Sequence, residues 1–350
     1  MTHKSNGKPL LVLKVGTASL TDDNGRLNEV VMVELARQVA QIHQDYNIVI
    51  VSSGAVGAGK KYLKKFTGSM LERKAAASIG NPLLLNKYAQ FFAPYGIVIA
   101  QSLCERHHFS DRKKFLQLKE TFTELWANEV IPIANENDVV SDLELKFSDN
   151  DELATLIAVG FSASILLFGT NVPGLYNDKN EIISRIESID EGILSLARKN
   201  KSSLGLGGMI SKLTFARLAT KMGIKAVIFR AGTSGELLRA LQGEAGTVFI
   251  PHQVSSLSER RRWLASGSLV SGSIQIDKGA GEALKNRKSL LVVGVKSIVQ
   301  EFDKGEIFEI LDENHVALAV AKANYSSQKV AENLGTQNFI VAHADDIVIL

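Results

Sequence analysis

Six short, almost wholly apolar runs recur in the first two thirds of the chain: LLVLKVG from Leu10, NIVIVSSG from Asn47, GIVIAQSL from Gly96, VIPIAN from Val130, SILLFG from Ser164 and KAVIFRAG from Lys225. Runs of this length without polar alternation are strands buried on both faces. Between most of them apolar residues recur at helical spacing, as in Glu29 to Tyr46, where Val30, Val33, Val39 and Ile42 fall on or near one face. Strands alternating with helices predict an α/β fold, a three-layer sandwich whose mostly parallel central sheet is covered on both sides. Ligands bind such sheets beyond the carboxyl ends of the strands. The loops after Val15, Val51, Ile133 and Phe168 are therefore the places for chemistry.

The pattern changes near residue 255. SSLSERRRWLASGSLVSGS is rich in Ser and Gly around a basic cluster, and then come short strand candidates: GSIQID, SLLVVGVKSI, EIFEIL, VALAVAKA and DIVIL. They predict a small, mostly β domain over residues 272–350, joined by a linker over 256–271 to a larger domain over 1–255.

Composition narrows the function classes. A net charge of +3 is too small to argue for nucleic acid, and one cysteine, Cys104, makes no intramolecular disulfide. Seven scattered histidines offer no metal-ligand spacing, and a reducing cytoplasm is the expected location. The longest uncharged stretch, Leu153 to Val172, contains Thr, Ser and Gly and follows Asp-Glu directly, so it reads as a buried helix running into a buried strand rather than a membrane span. The apolar run after Pro9 is interrupted by Lys14 and is too short for a signal peptide.

Four loops carry candidate chemistry. In KVGTASL, Lys14 ends a strand and Gly16 permits close approach of a bound group. In VIVSSGAVGAGKK, Gly54, Gly59 and Lys60 have P-loop spacing, but Lys61 stands where a magnesium-holding hydroxyl belongs, leaving a Ser-bearing loop that admits an anion. In IPIANENDVV, Asn135, Glu136, Asn137 and Asp138 end a strand, and a second polar cluster, SDNDE, follows about ten residues later. Folded back on each other, the two would suit an amino acid, whose ammonium needs acceptors and whose carboxylate needs donors. Two independent caps and turns would explain the same residues. In LGLGGMISKL, glycines precede Ser211, a candidate cap, and Lys212, read as opening an amphipathic helix. A lysine in a first turn opposes the helix dipole unless an anion is there too.

The SDNDE cluster also has a purely local reading. Asp149 and Glu152 fit a capping box, which leaves Asn150 and Asp151 in surplus.

Taken in order, VLKVGTASLT, IVIVSSGAVGAG, IPIANENDVV, SDNDELA, VPGLY and LGLGGMISKL resemble the glutamate 5-kinases of the amino acid kinase family, over roughly residues 8 to 250. GSIQIDKGAGEAL, SLLVVGVKSI, FDKGEIFEI and NYSS resemble the PUA domain many of these enzymes carry. The resemblance implies the amino acid kinase fold and ATP-dependent phosphorylation of the γ-carboxylate of L-glutamate to L-glutamyl 5-phosphate, with Mg2+, as the first step toward proline. By position it implies that Lys14 and Lys212 bind the phosphates, that Asp151 holds both lysines, and that Ser53, Asp138 and Asn150 bind glutamate, with Asn135 and Asp149 beside them. Thr170, Asn171, Leu206, Gly207, Gly208, Met209, Ile210, Ser211, Lys212 and Lys14 would bind ATP. No protein metal ligand is assigned. It further implies a homo-oligomer, feedback inhibition by proline and handover of product to a glutamyl phosphate reductase, without membrane or RNA partners.

Two positions depart from the family pattern. Thr170-Asn171 replaces Thr-Asp, and Leu206 and Ile210 stand where the glycine loop usually has hydroxyls; both bear on nucleotide affinity or base preference. Two alternatives stay open: a related kinase acting on another carboxylate, and an RNA-binding or RNA-modifying PUA protein, for which RRRW is the basic cluster.

Overall fold

All six apolar runs become strands. The computed structural model describes residues 7–22, 26–139, 149–199, 206–252 and 270–349. The chain divides into two units, Met1–Glu105 with Leu118–Val254, and Arg106–Gln117 with Ser255–Leu350. In the first, β1 (Leu10–Val15), β2 (Asn47–Ser52), β3 (Ile99–Cys104), β4 (Ile131–Glu136), β5 (Ile165–Thr170), β6 (Arg185–Ile186), β7 (Lys225–Arg230) and β8 (Thr247–Phe249) form one sheet. Its order is β3, β4, β2, β1, β5, β7, β8, β6, and every neighbouring pair is parallel except β7 with β8.

The helices are α1 (Thr17–Leu20), α2 (Glu29–Ile42), α3 (Ala55–Lys60), α4 (Met70–Phe92), α5 (His107–Ser110), α6 (Arg112–Ala127), α7 (Asn150–Gly160), α8 (Glu191–Lys199), α9 (Leu206–Lys221) and α10 (Glu236–Gln242). Successive strand side chains point to opposite faces. Leu11, Leu13, Val15, Ile48, Ile50 and Leu167 share a core with Met32, Leu35 and Val39 of α2, Leu84, Tyr88 and Phe92 of α4, and Leu237 and Ala240 of α10. The residues between them, Val12, Lys14, Val49, Val51, Leu166 and Phe168, are also buried and take the other face, against which α7 and α9 pack. Three layers result, and the parity of β1 turns Lys14 toward α7 and α9.

On α2 the buried stripe is Met32, Leu35, Ala36, Val39 and Ile42, spaced as one helical face. Val30 and Val33, expected on it, are 76% and 46% exposed. At 3.6 residues per turn, positions two before and one after Met32 rotate well off that stripe.

The α3 and α4 backbones nearly touch. A Cβ on Gly59 would stand 1.9 Å from the Ala76 carbonyl oxygen, and one on Gly80 would stand 1.7 Å from that of Ala55. The glycine spacing that mimics a P-loop therefore serves helix packing. Gly80→Ala is expected to destabilise the protein by about 3 kcal/mol or more, since neither carbonyl can retreat without moving its helix; a denaturant midpoint within error of the parent would contradict this.

Besides α5 and the start of α6, the second unit holds β9 (Val270–Ile276), β10 (Leu290–Leu291), β11 (Val295–Gln300), β12 (Ile307–Leu311), β13 (Ala317–Lys322), β14 (Ile340–Ala342) and β15 (Ile347–Ile349), with α11 (Lys278–Lys285) and α12 (Ser327–Glu332). A five-stranded sheet runs β11, β9, β12, β13, β15, and β10 pairs with β14. SLLVVGVKSI is not one strand: a 3-10 turn over Val292–Gly294 separates β10 from β11. Phe302 and Phe308 stack at 4.5 Å in a core with Ile274, Ile310 and Val341. Residues 256–269 of the expected linker, RRRW included, lie outside the described residues.

Candidate active site

The carboxyl ends of β1, β2 and β5 finish level. Val15 pairs with Ser52 on one side and Gly169 on the other, and Gly16 N donates to Gly169 O at 3.1 Å. Beneath that rim lies the most heavily charged buried group of the fold. Lys14 Nζ is 2.6 Å from Asp151 Oδ1, and Lys212 Nζ is 3.0 Å from Asp151 Oδ2. Asp151 is 1% exposed, Lys14 5% and Lys212 8%, so one carboxylate bridges two buried ammonium groups. Burial above all, and then the nearby Lys212 charge, lower the Lys14 pKa from the ordinary lysine value; Asp151 opposes both. The charge of Asp149 also reaches Lys14 and raises its pKa, more weakly than Asp151 does.

Lys212 differs from expectation in its place along the helix. α9 begins at Leu206, so Gly207 and Gly208 are helical and Lys212 lies in the second turn, donating back to Gly208 O at 3.1 Å. Ser211 caps nothing on its own helix; its Oγ donates to Asp149 Oδ2 and ties α9 to the start of α7. Asp149 is itself the α7 N-cap, accepting from the N–H groups of Asp151 (2.9 Å) and Glu152 (3.1 Å). One carboxylate thus orients the first turn of α7 and anchors α9.

The same turn aims Asn150 at the strand ends. Its Nδ2 is 3.0 Å from Ser52 O, 2.9 Å from Ser53 Oγ and 3.0 Å from Asn135 Oδ1. Asn135 Nδ2 in turn donates to Asn81 Oδ1 of α4 at 3.0 Å. The two polar clusters of the sequence do face each other, through Asn135 and Asn150; residues 140–148 between them lie outside the described residues. Tyr88 OH and Ser52 Oγ, 2.9 Å apart, close the network from behind, and burial raises that phenol far above its usual range.

Asn81 and Tyr88 were missed by sequence reasoning. An asparagine inside an apolar helix is a poor helix former, and that was the one available signal. Asn81→Leu keeps the branched outline but strands the buried Asn135 amide, and is expected to cost about 1–3 kcal/mol of stability. Unchanged thermal and denaturant midpoints would show that Asn135 finds another acceptor.

Above the network opens a cavity of about 410 Å3, lined by Ser53, Asn135, Asp138, Asp149 and Asn150 among others. Two basic residues that sequence reasoning did not assign to it, Lys60 and Arg73, line it as well. Ser53, Asp138 and Asn150 are thus brought together, while Lys14, Asp151 and Lys212 form a second, hydrogen-bonded group reached through the adjacent residue Asn150. Thr170 ends β5, and its Oγ1 donates to Oδ1 of the following Asn171 at 3.3 Å. Among the described residues, no hydrogen bond joins that pair to Gly208, Met209 or Ile210 near the start of α9.

A mostly parallel sheet thus carries a buried lysine-carboxylate-lysine bridge at its strand ends. The amino acid kinase family model matches residues 9–230, and the PUA domain model residues 272–336; the chain belongs to the amino acid kinase family. It is 37% identical to the glutamate 5-kinase of Moorella thermoacetica over 97% of this chain and 96% of that one. It is 36% identical to the glutamate 5-kinase of Yersinia enterocolitica, over 98% of this chain and all of that one. The solved carbamate kinase from Giardia lamblia bound to AMP-PNP covers 70% of this chain with a TM-score of 0.51 and 18% identity, a likeness of fold. Among the described residues, no helix is long and apolar enough to cross a membrane.

Proposed function

We propose that this chain transfers the γ-phosphoryl group of ATP to the γ-carboxylate of L-glutamate, giving L-glutamyl 5-phosphate and ADP as the first step toward proline. The observation that carries this reading is the pair of buried lysines sharing Asp151, one residue along α7 from an asparagine lining a polar cavity. The full-length likeness to glutamate 5-kinases supports the choice of acceptor.

The chemistry needs little beyond this. A glutamate side-chain carboxylate, with a pKa of about 4.3, is already ionised at neutral pH, so no general base is required. Its oxygen forms the new bond to phosphorus as the bond to the ADP oxygen breaks. Lys14 and Lys212 would hold the phosphates and meet the charge spread over the transferring group, while Asp151 fixes both ammonium groups. Ser53, Asp138 and Asn150 would hold glutamate, with Asn135 and Asp149 beside them. Thr170, Asn171 and the start of α9 from Leu206 to Lys212 would hold the nucleotide, Asn171 without the carboxylate usual there.

Mg2+ binds through substrate phosphates and one or two carboxylates rather than an all-protein cage. The fit here is to such a phosphate-held ion, because both Asp151 oxygens are engaged by lysines and the described residues hold no group of three or more metal-ligating side chains. It would supply charge neutralisation on the phosphates.

On this reading residues 1–255 are the kinase domain, 272–350 a PUA-like domain and 256–271 their connection, in a cytoplasmic homo-oligomer. An acyl phosphate hydrolyses readily, which favours handover to a reductase, and proline, the end of that route, would be a feedback inhibitor. Purified protein with ATP and Mg2+ is expected to form hydroxamate from hydroxylamine with L-glutamate. Better turnover of aspartate or acetylglutamate would replace the acceptor assignment.

A further inference from the structure

We propose that Lys60 and Arg73 recognise the second carboxylate of the acceptor, so that this pair, rather than the buried lysines, selects a dicarboxylic amino acid. This rests on glutamate being the acceptor. The cavity is lopsided without them: Glu136, Asp138 and Asp149 line it with carboxylates, and Ser53, Asn135 and Asn150 with neutral groups. Such walls suit an ammonium and repel a carboxylate. An amino acid whose side-chain carboxylate is directed to Lys14 and Lys212 must still place its α-carboxylate among these acids. The basic side chains lining this space are Lys60 and Arg73.

Their setting points to a ligand rather than to structure. Neither side chain makes a hydrogen bond or ion pair among the described residues. Glu72, beside Arg73, is engaged elsewhere, accepting from Thr67 N, Thr67 Oγ1 and Ser69 N at 2.6, 2.8 and 3.1 Å. Arg73 sits in the first turn of α4, a 23-residue helix, where the dipole disfavours a cation that has no anion nearby. Lys60 ends α3, and the glycine next to it, Gly59, is the one pressed on the Ala76 carbonyl of α4. The close approach through Gly59 and Gly80 fixes the backbones that carry Lys60 and Arg73 relative to each other, so that both side chains reach the same cavity from two locked helices.

The test uses the full chain with Lys60→Gln, Arg73→Gln and the double substitution, and two acceptors: L-glutamate and 4-aminobutyrate, which keeps the ammonium and the reacting carboxylate but lacks the α-carboxylate. In the double variant glutamate KM is expected to rise about 30-fold or more, because two charge-assisted contacts are lost. Its kcat and the KM for ATP stay within about threefold, since neither group meets the transferring phosphoryl in the transition state. The affinity for 4-aminobutyrate, read by turnover or as a competitive inhibitor, stays at the parent value, so selectivity collapses. Unchanged glutamate KM, or equal losses with both acceptors, would overturn the pair's role while leaving glutamate as acceptor. Absence of glutamate turnover in the parent protein would overturn the acceptor assignment, and this inference with it, before any variant is made.

Discussion

In the Lys212→Ala variant, kcat for glutamate falls by about a hundredfold or more while glutamate KM changes little, as when a donor aimed at transition-state charge is removed. Lys212 reaches Asp151 and its own helix at Gly208 O, and none of the bonds it makes goes to Ser53, Asn135 or Asn150. Its loss therefore leaves the cavity that would hold glutamate unchanged. Fold is expected to persist, because Lys14 still pairs with Asp151 at 2.6 Å and burying one ammonium fewer relieves like-charge repulsion. Steady-state kinetics with hydroxylamine trapping reads this directly; an unaltered kcat would remove Lys212 from the mechanism.

Asp151→Asn strikes at both lysines together. Lys14 already has its pKa lowered, by burial first and by Lys212 next, with Asp151 the largest influence holding it up. Neutralising Asp151 lowers it further, so the alkaline limb of kcat is expected to move to lower pH, and turnover at neutral pH to fall by about a hundredfold or more. Stability carries its own sign. A lysine whose folded pKa lies below its unfolded value costs stability at low pH, and that cost is relieved as pH rises from the folded value to the unfolded 10.5. Over that window the parent protein should lose activity while its thermal midpoint gains, a divergence that ordinary alkaline unfolding does not produce. In the variant the same window opens at lower pH. A variant that loses only thermal stability, with turnover and its pH profile intact, would make Asp151 a purely structural group.

Much of this was legible along the chain. The apolar runs specified a parallel sheet, because strands buried on both faces leave no room for polar alternation. Lys14 was legible as an exception to that rule, and Asn150 and Asp151 as a surplus beyond what capping uses. The place of Lys212 in α9 was not: the glycines before it look like a loop, and they become helical where α9 packs against the start of α7 through Ser211 and Asp149. Val30 and Val33 misled for a related reason, since apolar character does not reveal which turn of a helix faces the sheet. Asn81 lies 54 residues from Asn135, and its one local signal, a poor helix former inside a helix, does not name that partner. Arg73 has no local mark that sets it apart from Glu72 and Lys74 beside it.

By itself the sequence determined the layer architecture, the strand ends where a site could form, and the residue types suited to phosphates and to an amino acid, because periodicity and composition act locally. Only the tertiary structure decided the partners. Asp151 stands between lysines 137 residues before it and 61 after it, Asn150 reaches back 98 residues to Ser52, and Gly59 meets α4 backbone to backbone. Such contacts depend on how sheet and helices pack, which no stretch of chain encodes alone.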